Sequence, residues 1–327
     1  MTSHVRRVGI VTSGGDSPGF NPFVRAVVRM AAHYGWEVLG IQRGYAGLIS
    51  GDMVPLDSRS VSGVIGMGGT FLGSSRSEAF ATPRGLREAL RNLNEAGIDG
   101  LAIIGGDGTM RGALALQEAG MPVIGAPGTI ENDVCGTDVA VGVDTALNTA
   151  LDAMDRIRDT ASSQQQVFIV EMMGEKSGYL ALMAGIAGGA EMVCMPEEAF
   201  TLDDVMREVA DAYIRGKKHC IITVSEGARP HAREIADHLH AHEGETGFGA
   251  RLSILGHIQR GGSPSAYDRF LGTRLGAAAV ERLSAGESGL IVGILENAII
   301  ATPLSEVAEC TRHVDERDLG LARVLAR

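Results

Sequence analysis

The stretch Leu101-Ala-Ile-Ile-Gly-Gly-Asp-Gly-Thr-Met110 decides the fold. Its first four residues are an unbroken apolar run, which predicts a short strand buried on both faces. Gly105-Gly-Asp-Gly-Thr109 then turns the chain, and helical sequence follows. Glycines at the carboxyl end of a strand let an anion reach backbone N–H groups, and the next helix adds partial positive charge. Asp107 in that turn is the informative residue, because a carboxylate beside a phosphate cradle makes electrostatic sense only with a divalent cation between them. The turn is not a Walker A loop, since the only Gly-Lys pair, Gly216-Lys217, is followed by Lys218. Nor is it a dinucleotide fingerprint, because Arg111 stands where the last glycine would be.

Outward from this stretch, short β-rich runs alternate with helical ones. Strands are predicted at 8–11, 37–41, 101–104, 122–124, 167–171, 220–224 and 289–294, and helices at 83–96, 144–158, 203–213, 232–242 and 266–283. That alternation reads as α/β, a mostly parallel sheet covered by helices. Two more polar loops follow strands: Thr12-Ser-Gly-Gly-Asp-Ser-Pro-Gly-Phe-Asn21, with Pro18 expected to start a helix, and Pro127-Gly-Thr-Ile-Glu-Asn-Asp133. Carboxyl ends of strands are where such sheets bind ligands. In the second loop, two carboxylates two residues apart can divide the work between holding a metal or water and accepting a proton. Arg25 and Arg29 share one helix face. Leu255-Gly-His-Ile-Gln-Arg-Gly-Gly-Ser-Pro264 sets His257 and Arg260 beside paired glycines with Arg251 upstream, a socket suited to a phosphate monoester.

At 327 residues the chain is long enough for two domains or one large α/β unit with a core of its own. Glycine, at 45 residues, is roughly twice its average frequency of about 7%, which calls for many tight backbone approaches. The balance of 40 acidic against 29 basic residues, −11 in all, disfavours nucleic acid or an anionic membrane as the main partner. Cys135, Cys194, Cys220 and Cys310 form no CxxC pair, which suits reduced thiols in a cytosol better than a disulfide frame or a zinc site. The amino terminus lacks an apolar signal segment and no run approaches 18 apolar residues, so a cytoplasmic protein is expected.

Together with Gly68-Gly-Thr-Phe-Leu-Gly-Ser-Ser-Arg76, these loops resemble the bacterial ATP-dependent 6-phosphofructokinase family along nearly the whole chain. The Gly-Gly-Asp-Gly-Thr piece alone also occurs in other kinases; its combination with Pro-Gly-Thr-Ile-x-Asn-Asp and Gly-His-Ile-Gln-Arg-Gly-Gly-Ser-Pro is specific. The resemblance implies two doubly wound lobes with mostly parallel sheets and the active site in the cleft between them. The nucleotide-binding lobe would be 1–142 plus 255–305, and the sugar-phosphate lobe 143–254 plus 306–327. It also implies a homotetramer and phosphoryl transfer from MgATP to the 1-hydroxyl of fructose 6-phosphate. Carried over by motif, Gly14, Arg76, Ser77, Gly106, Asp107, Gly108 and Thr109 hold the nucleotide, with Asp107 serving Mg²⁺. Thr129, Gln166, Met173, Glu226, Arg251, His257 and Arg260 take the sugar phosphate, Arg251 from a neighbouring subunit. Thr129, Glu131 and Asp133 form the catalytic set, with Glu131 as base. Gly108 and Gly128 stand where pyrophosphate-using relatives carry Asp and Lys, which points to ATP as donor. Arg25, Arg29, Arg158, Glu191, Lys217 and His219 match an effector site for ADP or phosphoenolpyruvate, while Asp52 falls where some relatives place an arginine.

Three positions depart from the family pattern. Glu131 replaces Asp as the base, Gln166 replaces an arginine on the sugar 6-phosphate, and Glu175 replaces an arginine near the transferring phosphoryl group, with Lys176 adjacent. Losing one charged hydrogen bond costs roughly 1.5–3 kcal/mol, and displacement of a reacting group by about 1 Å can cost on the order of 100-fold in rate. These departures define two alternatives to the kinase: a catalytically weak regulatory paralogue that binds nucleotide and effectors, and a sugar kinase with another acceptor.

Overall fold

The computed structural model describes residues 5–326. Met1–His4, on which part of the reading of the amino terminus rested, lies outside the described residues. The chain divides into two compact units, one made of residues up to Thr145 together with Arg260–Arg312, the other of Ala146–Gln259 with the segment from His313 onward.

The first unit begins with β1 (Arg7–Thr12), α1 (Phe20–His33), β2 (Glu37–Ile41), α2 (Tyr45–Ser50) and β3 (Met53–Leu56). It continues through α3 (Pro83–Glu95), β4 (Gly100–Gly105), α4 (Asp107–Glu118) and β5 (Val123–Pro127). The long helix α5 (Val143–Gln164) carries the chain across into the second unit. There follow β6 (Gln166–Met172), α6 (Tyr179–Gly188), β7 (Met192–Cys194), α7 (Leu202–Ile214) and β8 (Cys220–Ser225). Next come α8 (Ala232–Ala241), α9 (Glu243–Thr246) and β9 (Gly249–Ile254). The chain returns to complete the first unit with α10 (Ala266–Ser284), β10 (Leu290–Leu295), β11 (Ala298–Pro303) and α11 (Leu304–Glu309), and ends with α12 (Glu316–Leu325) in the second.

The first unit's sheet has the order β11-β10-β5-β4-β1-β2-β3. Its five central strands are parallel, and β3 and β11 are antiparallel edges. Side chains alternate across it: Val8, Ile10, Ala102 and Ile104 join the core with Phe20 and Phe23 of α1, while Val11, Leu101 and Ile103 join Met110 and Leu116 of α4 on the other face. Burial on both faces is why Leu101–Ile104 reads as a continuous apolar run. The second unit's sheet, β7-β8-β6-β9, is parallel throughout, and its order places β6 between β8 and β9.

Strand order fixes the ligand side of the first unit. After β1 the chain moves to β2 on one side, and after β4 it moves to β5 on the other, so the loops following β1 and β4 diverge at the junction of these two strands. That is a topological switch point, where an open α/β sheet leaves a crevice. The two loops meet there directly: the Ser13 N–H donates to the Ile104 carbonyl at 3.1 Å.

Three local expectations are corrected. Pro18 does not start α1; it lies in the preceding turn, and the helix begins at Phe20 behind Gly19, whose φ of 109° is left-handed. The segment 306–312 belongs with the first unit, where Arg312 is fastened to the loop after β5. Cys135 and Cys310 are not separate thiols: they form a disulfide with Cα atoms 6.2 Å apart across 175 residues of sequence. The hairpin of β10 and β11 followed by α11 returns the chain to the loop after β5, a proximity that sequence spacing cannot show. Cys194 and Cys220 are buried free thiols, each pushed well above its ordinary pKa by burial. Among the described residues no helix is long and apolar enough to cross a membrane.

Candidate active site

The residues of the first unit expected to hold the nucleotide gather at the switch point. Gly106 precedes α4, whose first turn is Asp107, Gly108 and Thr109, so the exposed N–H groups of a twelve-residue helix face the crevice. Gly14, at φ 85°, approaches so closely that a Cβ there would lie 3.0 Å from Thr109 Oγ1. Tyr45, buried and stacked on Phe80 with centroids 4.1 Å apart, donates its hydroxyl to the Thr109 carbonyl at 2.6 Å and so pins this turn from behind. The Gly14 N–H donates to the Ser75 carbonyl at 3.4 Å, bringing the 75–77 segment alongside, where Arg76 is exposed and Ser77 half-buried.

Asp107 is paired with Arg111 one turn along α4, at 2.6 Å between Oδ2 and Nη2 and 2.9 Å between Oδ1 and Nη1. Asp133 differs: its Oδ1 is buried and has no hydrogen-bond partner among the described residues. Burial pushes the Asp133 carboxyl above its ordinary pKa, and the negative charge of Asp107 adds to the rise. A buried carboxylate oxygen left unpaired in the field of a second carboxylate fits the oxygen donor set of a hard cation. Magnesium takes one or two carboxylates and completes its octahedron with phosphate and water oxygens.

Between these carboxylates, the loop 128–133 is shaped by Asn132. Its φ is 50°, a left-handed conformation that Asn tolerates better than most residues. Its buried side chain accepts the Ala140 N–H at 2.9 Å and donates to the Asp138 carbonyl at 3.1 Å. Thr129, also buried, accepts the Glu131 N–H on its hydroxyl at 3.1 Å. The Glu131 carboxylate lies 3.4 Å from Arg260 Nη2, with the two side chains 15% and 11% exposed, so water screens this pair weakly. Arg260 also donates to the Asp16 carbonyl at 3.3 Å, which ties the loop after β1 to the loop after β5.

The two glycines read as donor determinants have different surroundings. A Cβ on Gly108 would meet nothing within 4 Å. A Cβ on Gly128 would come 2.4 Å from Phe20 Cε1 and 2.7 Å from Ile104 Cγ1, so the core itself requires glycine there.

In the second unit, Met173 is buried and its N–H donates to Gln259 Oε1 at 2.9 Å. Glu226 follows β8 and accepts the Gly174 N–H at 3.4 Å. Gln166 opens β6, paired in register with Gly249, and Arg251 is exposed on β9. His257 and Glu175 are exposed. A separate group gathers Arg158, Glu191, Lys217 and His219. Lys217 Nζ is 3.0 Å from Glu191, and Glu191 also accepts the Ile221 N–H at 2.6 Å. The Ser162 hydroxyl meets His219 Nδ1 at 2.8 Å. Burial pushes the His219 pKa down, with Arg158 and Lys217 adding to the fall and Glu191 opposing it. Arg158 Nη1 pairs with Asp155 at 3.4 Å, and its Nη2 is buried with no partner among the described residues. Arg25 and Arg29 lie on α1, in the first unit.

Sequence reasoning passed over Arg111, Asn132 and Arg312. Asn132 lay in the quoted motif, and its tolerance of left-handed backbone was the available signal. Arg312 had none, because its partners are carbonyls about 180 residues away.

A family model described as phosphofructokinase matches residues 7–283. The chain is 51% identical over 328 residues to the ATP-dependent 6-phosphofructokinase 1 of Thermus thermophilus, with 98% of this chain and 100% of that protein covered. It is 47% identical over 325 residues to the ATP-dependent 6-phosphofructokinase of Listeria monocytogenes, with the same coverage. Among solved structures, the phosphofructokinase of Saccharomyces cerevisiae matches with a TM-score of 0.85 and 36% identity, over 93% of this chain and 45% of that one. The pyrophosphate-dependent phosphofructokinase of Marinobacter aquaeolei has a TM-score of 0.85 at 20% identity, over 98% and 91% of the two chains, a likeness of fold.

Proposed function

The chain belongs to the phosphofructokinase family, and on that premise we propose how its residues carry the family's reaction. The activity is that of an ATP-dependent 6-phosphofructokinase: the γ-phosphoryl group of ATP passes to the 1-hydroxyl of fructose 6-phosphate, giving fructose 1,6-bisphosphate and ADP. The observation that carries the assignment of roles is the loop 128–133, which presents Thr129, Glu131 and Asp133 beside the amino terminus of α4.

Nucleotide phosphates lie on the N–H groups of Gly106–Thr109 and on Gly14, with Arg76 and Ser77 closing over them; backbone donors fixed in advance need no reorganisation as charge develops. Asp107 and Asp133 would hold Mg²⁺, which would supply charge neutralisation for the phosphates, while Arg111 orients Asp107 through their two-point pairing. Glu131 accepts the proton of the sugar 1-hydroxyl as that oxygen attacks phosphorus in line. Arg260 and the Thr129 hydroxyl hold Glu131 in place; in this chain the longer side chain brings the carboxylate within 3.4 Å of Arg260. By family match, Gln166, Met173, Glu226, Arg251 and His257 take the sugar phosphate, Arg251 from a neighbouring subunit of a homotetramer. Gln166 supplies a neutral amide where charge is usual, so the fructose 6-phosphate KM is raised by about 10- to 100-fold, the equivalent of one charged hydrogen bond.

Arg158, Glu191, Lys217 and His219, joined by Arg25 and Arg29 across a subunit contact, form an effector site for ADP or phosphoenolpyruvate. The reaction belongs in the cytoplasm, where its substrates are held. The donor and acceptor are tested together by coupled assays with ATP against pyrophosphate, and with fructose 6-phosphate against other ketoses. The reading expects the highest kcat/KM for ATP with fructose 6-phosphate; a higher value for pyrophosphate or for another sugar overturns it.

A further inference from the structure

The loop that carries Glu131 and Asp133 is fastened by a segment of three residues near the end of the first unit. Arg312 donates to the carbonyls of Thr137 at 2.5 Å, Asp138 at 2.7 Å and Val134 at 3.3 Å, and it approaches Asn132 Oδ1 at 3.4 Å. Two residues earlier, Cys310 is bonded to Cys135, two positions beyond Asp133. The guanidinium and the disulfide therefore act on the same stretch, 132–138, from the same short segment. That segment is anchored in turn by α11, whose Leu304 and Val307 are buried. Other fastenings, from Asp138 N–H to the Ile294 carbonyl at 2.6 Å, from Ile294 N–H to the Thr137 hydroxyl at 3.1 Å and from Glu296 N–H to Asp138 at 2.8 Å, hold the far end of the loop, and Val134 is packed in the core. None of them holds Cys135.

The two sulfurs differ in access. Cys310 is exposed and Cys135 half-buried, whereas Cys194 and Cys220 are fully buried and held in the unreactive thiol form. Attack by a thiolate is therefore favoured at Cys310, the more exposed half of the bond, with Cys135 as leaving group. We propose that Cys135–Cys310 is a thiol–disulfide exchange site, reduced by dithiols and re-formed by small disulfides, that sets how firmly the catalytic loop is held. The consequence for catalysis rests on the role given above to Glu131; the exchange chemistry and the change in loop mobility do not.

In reduction, a thiolate of the dithiol attacks Cys310 Sγ and the sulfur–sulfur bond breaks. Cys135 leaves as a thiolate and takes a proton. The second thiol of the reagent displaces Cys310, which is protonated in turn, and the reagent ends as its own cyclic disulfide, having supplied two electrons and two protons. Oxidation by a small disulfide runs the other way and releases two small thiols. With the bond open, segment 310–312 is joined to the loop by noncovalent contacts, among them the hydrogen bonds of Arg312, which open and close on a timescale a covalent bond does not permit.

The test equilibrates the intact protein with either oxidised or reduced dithiothreitol, removes the reagent, and makes three measurements. Thiol titration after denaturation is expected to find two thiols in the oxidised form and four in the reduced. Amide hydrogen exchange over 128–142 is expected to speed up on reduction while the strands stay protected. The kcat for ADP formation is expected to fall by about tenfold on reduction, in keeping with sub-ångström loosening of the base, with the KM for ATP unchanged. The Cys135→Ser/Cys310→Ser variant should match the reduced form in exchange and kcat and ignore the redox buffer. Four thiols after oxidation, or equal exchange in the two forms, overturns the proposal, and so does equal kcat in the two forms. Redox-dependent exchange with no ADP formation in either form upholds the exchange site and overturns the kinase reading instead.

Discussion

At the residue scale, Gly108 and Gly128 separate what sequence comparison joins. Both are glycine where pyrophosphate-using relatives carry larger side chains, and both read as room left for a nucleotide. Only Gly108 borders open space; Gly128 is pressed between Phe20 and Ile104. Gly108→Asp is therefore expected to fold with unchanged Tm while weakening ATP binding, because it sets a negative charge against the phosphates at the α4 amino terminus. Gly128→Ala is expected to lose about 1–3 kcal/mol of stability by overpacking, with ATP affinity in the folded fraction retained. Thermal unfolding and ATP titration of the two variants check this; loss of stability in Gly108→Asp, or none in Gly128→Ala, contradicts it. The motif residues were legible because each sits in a short contiguous pattern. What each glycine is for was not, because that depends on side chains from α1 and β4 packed against it.

At the element scale, the strand-turn-helix units were legible from burial alone. Strands β1, β4, β6 and β8 are buried apolar runs, and periodicity placed α3, α7, α8 and α10. Strands β3, β7, β9 and β11 were not legible, since each is a sheet edge, short or with a mixed exposure pattern and no sustained alternation. Also hidden was how α5 is started. Asp268, on α10, accepts the N–H groups of Gly142 and Thr145 and the Thr145 hydroxyl, at 2.7, 2.8 and 2.5 Å, and so caps a helix whose bonded residues lie 123 and 126 positions earlier in the chain. Burial pushes its pKa up to about 6, against these hydrogen bonds. A carboxyl that binds its proton more tightly when folded adds stability below its unfolded pKa and loses it as pH rises through the folded value. The fall between about pH 4 and pH 6 amounts to about 3 kcal/mol, at 1.36 kcal/mol for each pKa unit. Asp268→Asn removes this titration, so denaturant midpoints measured across that range should fall less steeply with pH in the variant; identical slopes would contradict the assignment.

At the scale of the whole molecule, the net charge of −11 coexists with cations held beside acids, Lys217 on Glu191 and Arg158 on Asp155 in one unit and Arg111 on Asp107 in the other. Long-range links were the least legible part of the sequence. The Cys135–Cys310 bond closes a chain segment of 175 residues, for which the chain-entropy model gives a ceiling of about 5 kcal/mol. The reduced protein is therefore expected to unfold at lower denaturant concentration than the oxidised one, as read by circular dichroism in the two redox buffers. Family membership assigns phosphoryl transfer to this chain, and the role proposed for Glu131 is that of its base. The most direct test is the single-turnover rate of ADP formation from MgATP and saturating fructose 6-phosphate, compared between the native protein and Glu131→Gln. The expected result is ADP and fructose 1,6-bisphosphate in equal amounts, with the rate reduced by about 10²- to 10⁴-fold in the variant and ATP affinity preserved. Equal rates in the two proteins, or no ADP from the folded native protein, would contradict the account.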